Sequence, residues 1–141
     1  MVENNRVVCI PVDGSRICIQ GLKDLIKSRL LNQNDQIVLV NCRIKIDPIG
    51  CILKNVHLED VAFNHDRFSR DALDEAMGVF MENQYIHIKR VQLLGDPARE
   101  LVDFINNLKP DLVDFPVNPA GYRSARERLR KKIVVRYGLC G

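Results

Sequence analysis

Two short, almost wholly apolar runs constrain this chain more than any other feature. Val7–Val12 and Gln36–Cys42 are too short for ordinary helices and apolar through their middles. Runs of that kind read as strands covered on both faces, which is the habit of a parallel sheet. Between them, Arg16–Asn32 sets Ile19, Leu22, Ile26 and Leu30 at spacings of three and four, with Ile17 and Leu25 widening the stripe. That spacing marks an amphipathic helix. A buried strand, a helix and a second buried strand therefore open the chain.

The alternation continues. Phe68–Asn83 reads as a helix with Ala72, Leu73, Ala76, Met77, Val79 and Phe80 inward, and Ser69 or Asp66 as its cap. Tyr85–Leu94 reads as a third strand, Ala98–Leu108 as a helix, and Asp111–Val117 as a fourth strand. Arg43–Arg67, with Pro48 and Gly50, reads as a long loop with a short helical turn. The expectation is an α/β, Rossmann-like open parallel sheet with right-handed crossovers and helices on both faces. At 141 residues the chain is expected to be one domain, residues 1–141. Aromatic residues are only 6% and Trp is absent, so its core should be Val, Ile and Leu.

The turns locate the candidate site. Val12, Asp13, Gly14 and Ser15 follow the first strand directly. Gly14 can adopt backbone angles closed to other residues, and Ser15 can cap the following helix. Asp13 then stands at the carboxyl end of a strand, where open α/β sheets place their ligands. Further on, Asp96 can cap a helix whose first position is Pro97.

Charge is unevenly placed. The net charge is +3, but from Gly121 onward seven Lys/Arg face one Glu, a local +6. Residues 1–120 carry 14 basic and 17 acidic side chains, −3. On a helix, Arg123, Arg126 and Arg130 share a face suited to phosphate. It could serve a nucleotide or an RNA or ribosomal backbone, or be a solvated surface. The end of the chain has two readings. Tyr122, Ala125, Leu129 and Ile133 keep helical spacing, whereas Ile133-Val134-Val135 is β-branched and suits a strand. The unbroken spacing from Gly121 favours helix.

These features, in this order, resemble the universal stress protein family. The matching stretches are Val12-Asp13-Gly14-Ser15, Gln36–Val40, Gly95-Asp96-Pro97 and Val134-Val135-Arg136-Tyr137-Gly138-Leu139-Cys140. The resemblance spans nearly the whole chain. It implies a sheet ordered 3-2-1-4-5, frequent homodimers and, in many members, bound ATP. Carried over by position, Asp13, the backbone of Pro11–Val12 and Val40 would lie against adenine and ribose, with ATP or AMP as the candidate cofactor.

Two departures follow. Nucleotide-binding members have a loop after the fourth strand that runs Gly, two residues, Gly, nine residues, Gly and Ser or Thr. Counting back from Cys140 without gaps, those positions fall on Phe115, Asn118, Arg128 and Leu129, so the phosphate cradle is missing. The family also continues past the Cys140 position with an apolar strand. With a helical end, this chain would have the order 3-2-1-4 with the fifth strand absent. The fourth strand would then be an exposed edge, and the family dimer that uses the fifth strand would be lost.

Other constellations carry little chemistry. His57, His65 and His87 lack metal spacing. Asp71, Asp74 and Glu75 suit a helix's solvent face, and Ser15 has no sequence-adjacent base. Cys9, Cys18, Cys42, Cys51 and Cys140 form no Cys-x-x-Cys pair, the start is polar, and no run spans a membrane. The expected protein is cytoplasmic and reduced: a non-catalytic, stress-related regulatory or interaction domain with a degenerate adenine-nucleotide site. The alternatives are a divergent ATP/AMP binder using Asp13 and the C-terminal arginines, or an RNA-binding factor using segment 121–137. A homodimer or another protein is the expected partner.

Overall fold

The computed structural model describes residues 5–44, 49, 53–55, 57–116 and 135–137. Its elements alternate: β1 (Val7–Pro11), α1 (Arg16–Lys27), β2 (Gln36–Arg43), α2 (Leu58–Glu82), β3 (Ile88–Leu94), α3 (Pro97–Leu108), β4 (Leu112–Phe115) and β5 (Val135–Tyr137). All pairings are parallel and the strand order is β3-β2-β1-β4-β5. The expected 3-2-1-4 order and the Rossmann-like class hold.

The expected absence of a fifth strand is corrected. β5 pairs with β4 in the register Val113↔Val135, Asp114↔Arg136 and Phe115↔Tyr137. The spacing of Tyr122–Ile133 carries no information about a distant edge. The open flank of β4 offers backbone partners that β-branched Val135 can join. The described residues therefore do not leave β4 as the outer strand on that side.

Side-chain alternation divides the core. Val8, Ile10 and Val12 of the first strand segment, with Ile37 and Leu39 of β2, pack with Leu22 and Leu25 of α1 and with Ala76 and Phe80 of α2. Cys9, Val38, Val40 and Cys42 point to the other face, where Leu101 and Ile105 of α3 and Val113 and Phe115 of β4 meet them. β1 and β2 are thus buried on both faces, as their apolar runs require.

The helix bounds show where local and tertiary signals differ. α2 begins at Leu58, ten residues before its expected start. Glu59 and Asp60 lie in its first turn, where acids suit the positive end of the helix dipole. Asp66–Arg70 and Arg67–Asp71 ion pairs at i,i+4 support the next turns. Ser69 and Asp66 are therefore interior helix residues rather than caps. Asp96 does occupy the N-cap of α3 with Pro97 behind it, but its side chain makes no capping bond.

No helix among the described residues is long and apolar enough to cross a membrane.

Candidate functional site

β1 has β2 on one side and β4 on the other. The connections from these strands leave in opposite directions, so the carboxyl end of β1 is the place where an open sheet leaves a crevice. There the chain passes from Pro11 through Val12, Asp13, Gly14 and Ser15 into α1. Val12 continues the sheet, donating its N–H to the Val40 carbonyl at 2.8 Å. Its carbonyl accepts from Asn41 Nδ2 at 2.8 Å.

The turn is built around Asp13. Its Oδ1 accepts from the Ser15 N–H at 2.9 Å and from the Ser15 hydroxyl at 2.7 Å. The Ser15 oxygen in turn accepts from the Cys18 N–H at 3.1 Å, closing the N-cap of α1. Both Ser15 bonds fall on one carboxylate oxygen. The Cys18 thiol also hydrogen-bonds to this carboxylate, and since a carboxylate offers about four acceptor positions, it keeps capacity for a further donor. Asp13 is half-buried.

α2 forms the wall beside this turn. Gly14 has φ +80°, and a Cβ there would stand 2.9 Å from Ala72 Cβ and 3.4 Å from Phe68 Cζ. Glycine is therefore required both by the backbone angle and by the approach of the helix. The Phe68 ring rests against Gly14 yet is 62% exposed. One residue on, buried Ser69 donates its hydroxyl to Asn41 Oδ1 at 2.5 Å. Asn41 thus links the chain after β1 to α2 through two bonds, which fixes the height of Phe68 above the turn.

Of the site residues expected from sequence, Pro11, Val12 and Val40 are buried, and Asp13 alone presents a polar side chain to this turn. Arg123, Arg126 and Arg130 lie outside the described residues. Phe68, Ser69 and Asn41 were not expected. Asn41 was detectable as the one polar residue interrupting the apolar course of β2. Phe68 was not, because its place depends on how α2 packs against the turn at Gly14, 54 positions earlier in the chain.

The fourth-strand side of the crevice can be compared with the glycine-loop pattern. Phe115 is fully buried and is the last residue of β4, so the gapless count puts the first loop position inside a strand. The first residue past β4 is Pro116, which has no N–H to offer a phosphate. A Cβ on Gly21 of α1 would stand 2.4 Å from the Pro116 carbonyl oxygen. The chain leaving β4 is pressed against α1 at this point.

Nucleophilic chemistry finds little support among these groups. Burial pushes the Cys18 thiol up to about 12, far from the thiolate form at neutral pH. The Ser15 hydroxyl is held within the cap. Among the described residues no group of three or more His, Cys, Asp or Glu is arranged to hold a metal ion.

No protein-family model matches this sequence, and no curated protein matches it. Solved structures do match. A universal stress protein in complex with cAMP superposes with a TM-score of 0.66 at 15% identity, covering 99% of this chain and 100% of that one. A universal stress protein family member from Arabidopsis thaliana with AMP bound gives 0.67 at 12% identity, covering 96% and 92%. The universal stress protein from Archaeoglobus fulgidus in complex with dAMP gives 0.63 at 14%, covering 98% and 99%. Over nearly its whole length, then, this chain has the fold of the universal stress proteins.

Proposed function

We propose that this protein is a non-catalytic regulatory module that holds the adenosine end of an adenine nucleotide at the carboxyl end of β1. The observation that carries the reading is the Asp13 carboxylate: Oδ1 is occupied by its own turn, while Oδ2 receives neither Ser15 bond. A ribose hydroxyl is a donor of the right kind for that oxygen. The exposed Phe68 ring beside Gly14 offers an apolar platform for the base. Structures of the same fold with cAMP, AMP and dAMP support the choice of ligand class.

The residues present fit the two ends of a nucleotide unequally. The sugar finds Asp13. The phosphates meet a chain that leaves β4 with Pro116 and has no glycine before Gly121. Binding should therefore depend on adenosine and little on phosphate number. The burial of Cys18 and the capping role of Ser15 support a binding rather than a catalytic role.

Calorimetric titration tests this. Adenosine, AMP, cAMP and ATP should bind with affinities within about threefold of one another, and Asp13→Ala should weaken all of them by about tenfold, near 1.4 kcal/mol. Absence of heat at millimolar nucleotide would overturn the reading. ATP binding tenfold tighter than adenosine would overturn the claim about the phosphate end.

A further inference from the structure

The second surface of interest is the opposite side of the sheet from β4. Among the described residues β3 is its outer strand. The phase of its ladder follows from two bonds: Ile37 donates its N–H to the His87 carbonyl, and Gly95 donates to the Arg43 carbonyl. With the register Ile37↔Ile88 to Arg43↔Leu94, odd-numbered positions of β3 bond to β2. The N–H and C=O groups of Ile88, Arg90, Gln92 and Leu94 are directed outward. This is a seven-residue strand with an edge able to accept another.

The side chains along that edge are selective. Ile88 packs into the core beneath α1 and α2, and period-two alternation puts Arg90 and Gln92 on the same face. They line a cleft of about 410 Å³ with Arg70, Leu73 and Asp74 of α2. Gln92 Nε2 donates to the Asp66 carbonyl at 3.5 Å. Arg90 pairs with Asp74, Arg70 pairs with Asp66 at 2.7 Å, and Arg43 reaches the same Asp66 at 3.7 Å. Three guanidinium groups therefore share two carboxylates. On the other face Val91 and Leu93 pack beneath α3, while Lys89 is exposed. Both faces of the edge thus present positive charge at neighbouring positions.

We propose that the outer edge of β3, with the Arg70–Arg90 cleft, is a docking strip for an extended acidic segment of another protein. The segment adds to the sheet by backbone pairing with Ile88, Arg90, Gln92 and Leu94. Two successive acidic residues in it point to opposite faces. One enters the cleft toward Arg90 and Arg70, and the next meets Lys89. A second copy of β3 does not fit this role, because Ile88–Leu94 contains no acid to complement Lys89 and Arg90.

The probe is a capped peptide, acetyl-Thr-Val-Glu-Asp-Val-Thr-amide, titrated into the isotope-labelled full chain and followed by NMR. The expected result is saturable movement of the Ile88, Arg90, Gln92 and Leu94 amides, with slowed hydrogen exchange at those four. Replacing the two acids by lysine, or changing Arg90→Glu in the protein, should weaken binding at least about tenfold. Gln92→Pro removes an outward N–H without touching the β2 ladder. It should abolish pairing while the thermal melt stays cooperative. The proposal is overturned if no amide responds at millimolar peptide, or if the lysine peptide binds equally. Retained binding in both Arg90→Glu and Gln92→Pro overturns it too. Shifts confined to the cleft arginines and reproduced by inorganic phosphate would mean a small-anion site and no strand docking.

Discussion

Two aspartates stand at opposite ends of the same sheet, and their environments differ. At the amino end, Asp35 is 3% exposed and both its oxygens are occupied. Oδ1 accepts from Arg6 Nε at 3.2 Å; Oδ2 accepts from Arg6 Nη2 at 2.8 Å and from the Asn32 N–H at 2.8 Å. Arg6 also donates to the Leu30 carbonyl. This ties the entrance of β1 to the turn before β2. At the carboxyl end, Asp13 is half-buried and its two Ser15 bonds share one oxygen. The amino end is closed by its own side chains. At the carboxyl end the donors of the turn leave the half-buried Asp13 carboxylate with acceptor positions to spare. The same residue type is a clamp in one place and a candidate ligand group in the other, and the difference lies in the donors the fold delivers.

The largest effect is expected at Asp35. Asp35→Ala should destabilise the protein by about 3 kcal/mol, because it strands the Asn32 amide and one end of the Arg6 fork. Urea unfolding measures this, and nucleotide affinity should not change. If Asp35→Ala costs less than Asp13→Ala in stability, the assignment of clamp and ligand group is reversed.

Ser69→Ala probes the wall beside Asp13. It leaves the buried Asn41 Oδ1 without its hydroxyl donor and should cost about 2 kcal/mol. Phe68 should lose its fixed height above Gly14, so AMP affinity should fall as well. A stability loss with unchanged affinity would separate Phe68 from the site.

Alkaline pH tests the apolar packing behind the Asp13 turn. The Cys18 thiol is raised from 9.0 to about 12 by burial. A pKa raised in the folded state means that the fold favours the neutral thiol. That contribution is complete below pH 9.0 and is lost as pH climbs toward about 12. Stability should therefore fall in this window by up to about 1.4 kcal/mol per pH unit for this thiol. Cys9 on the other face, also raised to about 12, adds its own slope. In Cys18→Ala the Cys18 share of the slope should vanish in urea melts taken across the window.

The smallest expected stability change is at Asp13 itself. Asp13→Ala should cost about 1 kcal/mol, the scale of a weakened helix cap, while removing about tenfold in AMP affinity. That ratio of small structural and larger binding effect is the signature that distinguishes Asp13 from Asp35.

Much of this architecture was readable along the chain. Apolar runs of four to eight residues bounded by turn residues gave β1 and β2, and the three-and-four spacing gave α1 and α3. Ser15 was readable as a cap because capping is a local bond between neighbours. The limits of local reading show at α2. Leu58–Arg67 has no sustained apolar stripe, and its helix rests on first-turn acids and on Asp66–Arg70 and Arg67–Asp71 pairs. Asn41–Ser69 was equally hidden, since its partners are 28 positions apart.

The sequence by itself determined the order of strands and helices from β1 to β4, the glycine turn at Gly14 and the aspartate placed just before it. These follow from hydrophobic period, backbone freedom and neighbour-to-neighbour bonds, all of which act within a few residues. Tertiary structure decided the rest. It joined β5 to β4, brought the Phe68 ring against Gly14, clamped Asp35 with two Arg6 nitrogens and the Asn32 N–H, and set both Ser15 bonds on one oxygen of Asp13. Each of those outcomes depends on which distant groups meet once the sheet is assembled, and no local pattern encodes that meeting.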